Sequence, residues 1–153
     1  MKTSAVRIEA ASAGTYGEIE ALLSELRLPT AGLRDQFPRA YAVAVDGGAL
    51  VGCAGLESYE RAGLLRSVAV AEAHRHSGIG RALVTERLAA AKRDGLEAVY
   101  LLTTTAADFF LRLGFLRTNR AEVPAGLGSS PEFASICPAS AACLRFALAR
   151  HAP

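Results

Sequence analysis

The distribution of apolar and polar residues divides this chain into two kinds of segment. Val6-Arg7-Ile8-Glu9 alternates with the period of about two that is typical of a strand. Apolar residues at Ile19, Leu22, Leu23 and Leu26 instead have the spacing of one helix face. Applied along the chain, these two patterns predict strands at 6–9, 41–45, 49–56, 64–70, 98–102, 115–117 and 142–148. They predict helices between Thr15 and Pro29, at 78–94 and at 106–113, and a short helix that ends near Phe37-Pro38.

Turn and capping residues define several ends of these elements. Asp46-Gly47-Gly48 lies between two predicted strands and favours a hairpin, because Asp-Gly and Gly-Gly tolerate positive φ. Thr15 and Glu18 have the spacing of a helix capping box. Gly95 and Gly114 follow predicted helices, where glycine is the preferred residue just beyond the last turn. The hairpin and the helix ends are therefore predicted from the residues next to them.

The order of the predicted elements is β-α-α-β-β-β-α-β-α-β-β, with a long irregular segment at 119–137 that contains prolines and glycines. Hairpins in the first half and a strand-helix-strand unit in the second predict an α/β (α+β) fold. The expected architecture is a mixed, mostly antiparallel central sheet flanked by helices. No repeat or linker divides the 153 residues, so a single domain over 1–153 is expected.

Composition excludes several classes of protein. A formal net charge of +2 is too small for a nucleic-acid footprint, and the basic residues are scattered. No stretch approaches the roughly 20 apolar residues of a membrane span. The first residues lack the apolar run of a secretory signal. The three cysteines cannot all pair within one chain, which favours a reducing compartment. A cytoplasmic protein that binds neither nucleic acid nor membrane is therefore expected.

The segment most informative about chemistry is the loop Arg75-His76-Ser77-Gly78-Ile79-Gly80, followed by Arg81. A predicted strand ends at Val70, and two glycines permit close backbone approach at the start of the next helix. The first N–H groups of a helix have no intrahelical partner and lie at the positive end of its dipole. Such a loop can bind a pyrophosphate. Taken alone, it is also compatible with a plain turn between a strand and a helix.

Two landmarks in the sequence resemble the GNAT superfamily of acetyl-CoA-dependent N-acetyltransferases. Members of that family carry Gln/Arg-x-x-Gly-x-Gly/Ala after the fourth strand, which Arg75, Gly78 and Gly80 match. They also carry an aromatic residue, three further residues and Gly-Phe near the next helix, which Phe110-Leu111-Arg112-Leu113-Gly114-Phe115 matches. The order of elements agrees, so the resemblance covers nearly the whole chain.

The resemblance implies a binding site for acetyl-CoA as acyl donor. No metal is expected, because His74 and His76 lie too close to the glycine loop for a metal site without carboxylate support. The backbones of Val68 and Val70 would pair with the pantetheine arm of the cofactor. The pyrophosphate would be bound by the loop residues Arg75, His76, Ser77, Gly78, Ile79, Gly80 and Arg81.

A narrower resemblance is to the arsenic-resistance N-acetyltransferases of the same superfamily. It is carried by the segments 51–57, 64–67, 101–105 and 137–140. Some of those relatives acetylate arsinothricin, an arsenic-containing glutamate analogue, and the strand that ends Leu102-Thr103-Thr104 is similar to bacterial N-acetylglutamate synthases. Both similarities imply that the acceptor is the primary amine of a small amino-acid-like molecule, with arsenic resistance as one role.

The general acid and base are less clearly indicated. Many GNAT proteins have a tyrosine that protonates the CoA thiolate, but Phe110 occupies that position here. A thiol with a pKa near ~8.5 can leave as thiolate without a proton donor. Glu57, at the end of a predicted strand, is the candidate general base that would deprotonate the amine. The alternative for Glu57 is a solvated glutamate at a strand end.

Arg66 and Cys137 are the candidate substrate-binding residues. Arg66 lies among apolar residues of a strand, and a buried guanidinium requires a partner. It could bind a substrate carboxylate, or it could pair with Glu57 as a structural bridge. Cys137 could bind a metalloid or carry an acyl group, whereas Cys53 and Cys143 have the pattern of buried strand residues.

Other functions remain compatible with the sequence. One is acetylation of a protein lysine or N-terminus, and others are a non-catalytic acyl-CoA sensor and a thiol-based metalloid-binding protein. The chain is expected to act as a monomer or homodimer.

Overall fold

The computed structural model describes residues 6–136 and 140–148. Seven strands form one sheet in the order β1-β2-β3-β4-β5-β7-β6. The strands are β1 (Val6–Ala10), β2 (Tyr41–Asp46), β3 (Ala49–Tyr59), β4 (Ala62–Val70), β5 (Ala98–Thr103), β6 (Leu116–Arg117) and β7 (Ala142–Ala147). The helices are α1 (Tyr16–Glu25), α2 (Ile79–Arg93), α3 (Ala107–Arg112) and α4 (Ala125–Gly128). Within the described residues, no helix combines the length and the apolar character that crossing a bilayer requires.

The sheet is mixed, with one parallel pair among antiparallel ones. β4 and β5 run parallel and are joined at residues 62–64 and 98–100. The pairs β1–β2, β2–β3, β5–β7 and β6–β7 are antiparallel. The predicted α/β class with a mostly antiparallel sheet flanked by helices is therefore confirmed. The hairpin at Asp46-Gly47-Gly48 is also confirmed, with φ of +58° at Gly47 and +88° at Gly48.

The chain divides into two compact units, each made of separate segments. The first contains the residues up to Gly55 together with Ser67–Arg87. In this unit α1 packs Ile19 and Leu23, neither of which is exposed, with Tyr41 and Val43 of β2. The apolar face predicted for α1 is thus the face that covers the sheet.

The second unit contains Leu56–Arg66 together with the residues from Leu88 onward. Its core joins Leu64 of β4, Tyr100 of β5 and Cys143 of β7. Leu127 and Phe133, which lie between β6 and β7 in the chain, pack with them. The segment after β6 is therefore part of a hydrophobic core.

This segment differs from the irregular connection that its prolines and glycines predicted. A 3₁₀ helix at Arg120–Glu122, helix α4 and a π-helix at Glu132–Ile136 follow one another. Local sequence did not indicate these helices, because they are short and depend on burial of Leu127 and Phe133 against the strands.

Two predictions near α1 are wrong. The capping pair is Ser12 and Thr15, with Ser12 N–H donating to Thr15 Oγ1 at 3.2 Å, and Thr15 makes no side-chain bond to the start of α1. The short helix expected before Pro38 is a run of turns over 31–40. Most of its backbone bonds span three residues, as from Phe37 N–H to the Arg34 carbonyl at 3.2 Å, and so do not form an α-helix.

Gly55 is expected to be the glycine of β3 least tolerant of a side chain. A Cβ built there would lie 2.5 Å from Cζ of Tyr41, whose side chain is 1% exposed. Gly55→Ala should therefore lower the free energy of unfolding by about 1–3 kcal/mol, the usual cost of overpacking. Gly17→Ala in α1 is the control, since nothing lies within 4 Å of its Cβ position. Chemical denaturation of both variants checks this, and equal stability would contradict it.

Candidate functional site

The loop between β4 and α2 has the backbone geometry of an anion-binding turn. Its residues His76 and Gly78 have positive φ, +63° and +87°, while Arg75 between β4 and His76 has φ of −69°. A left-handed non-glycine residue such as His76 is strained, and such strain concentrates at binding sites. The loop thus combines a strained backbone with a position directly before the N-terminus of α2.

The start of α2 supplies N–H donors next to this turn. The helical hydrogen bond at its start runs from Ala82 N–H to the Gly78 carbonyl at 3.0 Å. The N–H groups of Ile79, Gly80 and Arg81 precede that bond and so lack an intrahelical acceptor. The helix has 15 residues, and its dipole places partial positive charge at this end. A phosphate group is a suitable ligand for such an end.

Side chains hold this loop against the end of β4. Arg75 Nε donates to the carbonyl of Val70 at 3.3 Å, and Ser77 Oγ donates to the carbonyl of His74. His74 Nε2 lies 3.2 Å from Asp46 Oδ2 at the end of β2. Arg75 and Arg81 are exposed, so both guanidinium groups are placed to meet an anion at the surface.

The end of β4 leads into this loop through Val68, Ala69 and Val70. Ala69 is buried at 4% exposure, whereas Val68 and Val70 are half-buried. Ser67, just before them, has φ of +58°, so β4 is locally irregular there. The cofactor-binding residues expected from the sequence, from Val68 to Arg81, therefore all belong to one continuous segment of the first unit.

Cys53 in β3 is a buried thiol of the same unit. Its Sγ donates to the Ser67 carbonyl at 3.2 Å, and burial raises its pKa to about 12. Burial also raises the pKa of the Cys143 thiol in the second unit. A thiol is far less nucleophilic than a thiolate, so both cysteines behave as small apolar residues. Cys137, the expected substrate-binding thiol, lies outside the described residues.

A buried group of charged and polar side chains forms in the second unit, and we call Glu57, Tyr59, Arg66 and Glu132 the Arg66 cluster. Arg66 Nη1 lies 3.5 Å from Glu57 Oε2, and Arg66 Nε lies 3.8 Å from Glu132 Oε1. Tyr59 donates its hydroxyl to Glu57 Oε1 at 2.8 Å. The side chains of Arg66, Glu57 and Glu132 are 1%, 2% and 6% exposed. These charges are shielded from bulk water.

The cluster answers the alternatives that the sequence left for Glu57 and Arg66. Glu57 is buried and is therefore not a solvated glutamate at a strand end. Its carboxylate lies 3.5 Å from Arg66, which is the contact that the structural-bridge alternative predicts. Two carboxylates face one guanidinium, so the cluster has an excess of negative charge when all its acids are ionised.

Glu132 is the member of the cluster whose ionisation is most perturbed. Its pKa is raised from 4.5 to about 7, and burial is the largest cause. The Arg66 charge acts in the opposite direction and lowers the pKa, while the Glu57 charge raises it further. Loss of solvation disfavours the carboxylate, and the nearby Glu57 charge adds to that effect. Near neutral pH, Glu132 therefore exchanges a proton.

Sequence reasoning missed Glu132 entirely. It follows Pro131 in the segment predicted to be irregular, where a glutamate is normally solvated. The one available signal was the need of buried Arg66 for partners, and that need does not specify which residue supplies them.

Phe110 lies in an aromatic cluster, where it cannot donate a proton. Its ring is 5.0 Å from Phe109 and 5.6 Å from Phe115, centroid to centroid. It is buried at 5% exposure. Among the described ranges, no group of three or more His, Cys, Asp or Glu residues has the arrangement of a metal site.

The sequence and the fold were compared with known proteins. The sequence model of a family described as Acetyltransferase (GNAT) domain matches residues 38–117. An uncharacterised N-acetyltransferase of Chlorobaculum tepidum is 30% identical over 113 residues, which cover 73% of this chain and 70% of the relative.

Solved structures with the same fold include complexes with coenzyme A. N-acetylglutamate synthase of Neisseria gonorrhoeae, complexed with coenzyme A and N-acetyl-glutamate, superposes with a TM-score of 0.82 at 22% identity. The match covers 97% of this chain but 36% of the synthase, so the chain spans about a third of that protein. A Mycobacterium tuberculosis protein in complex with CoA matches with a TM-score of 0.80 at 24% identity, over 94% of this chain and 99% of its own.

Proposed function

Since the chain belongs to the GNAT family of acetyltransferases and is an acetyl-CoA-dependent N-acetyltransferase, we propose that its acceptor is the primary amine of a small amino-acid-like molecule. The observation that carries this proposal is the Arg66 cluster. Its charged groups are shielded from bulk water, where the attraction between a guanidinium or carboxylate and a small charged molecule is stronger than at an exposed surface. The neighbouring N-acetylglutamate synthase, which was solved with N-acetyl-glutamate, supports an amino-acid acceptor.

The donor site that we propose is the segment from Val68 to Arg81. The backbones of Val68 and Val70 would pair with the pantetheine arm. The left-handed residues His76 and Gly78 would direct N–H groups of the loop toward the pyrophosphate, together with those at the start of α2. Exposed Arg75 and Arg81 would add charge-assisted contacts to the phosphate oxygens.

The chemistry that this site must perform is direct transfer. The amine arrives protonated and must lose a proton before its lone pair attacks the thioester carbon. Glu57 remains the base expected from the sequence, and Glu132 is a second carboxylate beside the same guanidinium. Because Phe110 has no donor, CoA would leave as thiolate, which a thiol pKa near ~8.5 makes feasible.

Within the amino-acid-like acceptors, we propose acidic ones, including an arsenic-containing glutamate analogue. The proposal uses Arg66 as the group that attracts a substrate carboxylate. In the described structure Arg66 contacts Glu57 and Glu132, so an acidic substrate would have to displace one of them. An acid and its amide are therefore the informative pair of substrates.

Release of free CoA from acetyl-CoA tests the function. The panel contains glutamate, glutamine, arginine, the arsenic-containing glutamate analogue and two peptides, one with a free lysine and one with a free N-terminus. We expect release with one or more of the small amines and a higher kcat/KM for acids than for the matched amides. Release with the peptides alone would indicate a protein acetyltransferase, and binding of acetyl-CoA without any release would indicate a sensor.

A further inference from the structure

The two carboxylates of the Arg66 cluster are held in different ways. Glu57 accepts a 2.8 Å bond from the Tyr59 hydroxyl on one oxygen and faces Arg66 at 3.5 Å with the other. Glu132 approaches Arg66 at 3.8 Å, which is beyond hydrogen-bond distance. Both carboxylates thus have an ion-pair contact with Arg66, and Glu57 in addition has the Tyr59 hydrogen bond.

From this arrangement we infer that Glu132 accepts the proton of the acceptor amine and that Glu57 is a positioning residue that holds Arg66 beside it. The inference rests on the proposed function, since it assigns a role in the transfer to an amine. It names a residue of the segment after β6 that no sequence motif indicated.

The charge of the cluster favours this assignment. With Glu132 protonated, the charges of Glu57 and Arg66 balance; with Glu132 ionised, the cluster carries one net negative charge. An anionic cluster attracts an ammonium group, and its attraction ends once the proton has moved from nitrogen to Glu132. The neutral amine then remains beside a neutral cluster, which is the state that attack on the thioester requires.

The proton balance of the reaction is complete with these groups. An N–H bond of the ammonium breaks and an O–H bond forms on Glu132. The amine nitrogen attacks the thioester carbon, the C–S bond breaks, and the electron pair leaves on sulfur. The amide nitrogen loses its second proton, one proton ends on the CoA thiol, and Glu132 returns the other to solvent. Overall, R–NH₃⁺ and acetyl-CoA give R–NH–acetyl, CoA–SH and one proton.

The raised pKa of Glu132, about 7, suits this role. A base works best when its pKa is near the operating pH.

Other titratable or charged groups lie in the described part of this region. Arg66 and Glu57 are the charges that act on Glu132. Arg120 donates to the carbonyl of Phe133 at 2.9 Å. Tyr59 of β3, Tyr100 of β5 and Cys143 of β7 belong to the adjoining core, and Arg145 Nε of β7 donates to the Tyr100 hydroxyl at 3.2 Å.

The test is the pH dependence of kcat/KM for the wild type, Glu132→Gln and Glu57→Gln with the best amine of the panel. For the wild type the rate should rise with pH through about 7, the pKa of Glu132. Glu132→Gln should lose ~10²–10⁴-fold in rate and lose this rise. Glu57→Gln should keep the rise but move it to lower pH, because the Glu57 charge that raises the pKa of Glu132 is gone.

The reverse pattern would overturn the inference: a rise that disappears in Glu57→Gln and merely shifts in Glu132→Gln identifies Glu57 as the base. Glu122→Gln, an exposed glutamate of the same segment, is the control and should match the wild type. If Glu132→Gln does not fold, Glu132→Asp should retain the rise at reduced rate, and an unchanged rate would count against the inference. A wild type that releases no CoA with any amine refutes the proposed function instead.

Stability provides a readout besides activity. The pKa of Glu132 is raised from 4.5 to about 7 by folding, so its contribution to stability is full below 4.5 and is lost as pH rises through 7. The melting temperature of the wild type should therefore fall relative to that of Glu132→Gln between these values. Parallel melting curves at all pH values would show that Glu132 does not hold the proton.

Discussion

Arg66→Ala is expected to lower the free energy of unfolding by about 3–5 kcal/mol, the usual cost of removing one partner of a buried ion pair. The variant would leave Glu57 and Glu132 near each other, 2% and 6% exposed, without the guanidinium that compensates them. The control is Arg61→Ala, because Arg61 pairs with Glu97 at 3.1 Å but is 79% exposed. Exposed pairs contribute about 0–1 kcal/mol. Chemical denaturation at pH 8, where Glu132 is largely ionised, measures the difference.

Equal losses for Arg66→Ala and Arg61→Ala would show that the Arg66 cluster does not stabilise the fold.

The kinetics of Arg66→Ala separate the two possible roles of Arg66. A structural bridge predicts that Arg66→Ala lowers kcat/KM equally for an acidic acceptor and its amide. A substrate clamp predicts a larger loss for the acid. Because Arg66 is the group proposed to attract the substrate carboxylate, we expect the larger loss for the acid; equal losses would remove Arg66 from substrate binding and leave the acceptor class open.

Gly80→Glu is expected to weaken acetyl-CoA binding by at least ~2–3 kcal/mol, because charge-assisted bonds to the diphosphate are lost. Gly80 lies in the first turn of α2, where the helix dipole and the N–H groups favour an anion. A glutamate there would occupy the approach of the diphosphate with the same sign of charge. Isothermal calorimetry with CoA measures the loss, with the melting temperature as a check on folding.

Gly17→Glu is the matched control for charge and bulk. Gly17 is exposed near the start of α1, and nothing lies within 4 Å of its Cβ position. This variant should bind CoA as the wild type does. An unchanged affinity in a folded Gly80→Glu protein would remove the loop from the cofactor site.

Most of the fold could be predicted because its signals are local. Asp46-Gly47-Gly48 specifies a hairpin by its own backbone freedom, and both glycines have positive φ. The turns at 31–40 were wrongly predicted as a helix because a segment this short has too few apolar positions to separate a helix from successive three-residue turns. Elements specified by neighbouring residues, such as the hairpin, were therefore predictable. Conformations that depend on tertiary packing were not.

The candidate site also has one part that local sequence predicts and one part that it does not. The proposed cofactor loop is one continuous segment, so its glycines and arginines could be read together. The Arg66 cluster joins β3, β4 and the π-helix of residues 132–136, which are far apart in the chain. The sequence identified Arg66 as a buried charge in need of a partner. It could not identify Glu132, because only the folded chain places that carboxylate beside the guanidinium.

The buried Cys53 thiol offers a way to follow the opening of the first unit in solution. With no exposed surface and a pKa of about 12, it should react with an alkylating reagent only when its surroundings open. In a Cys137→Ser background, mass spectrometry can separate labelling of Cys53 from that of Cys143, which belongs to the second unit. A ligand that binds the closed form slows such labelling in proportion to its occupancy. Acetyl-CoA should thus protect Cys53 even without an acceptor, so labelling kinetics can detect donor binding before any acceptor is identified.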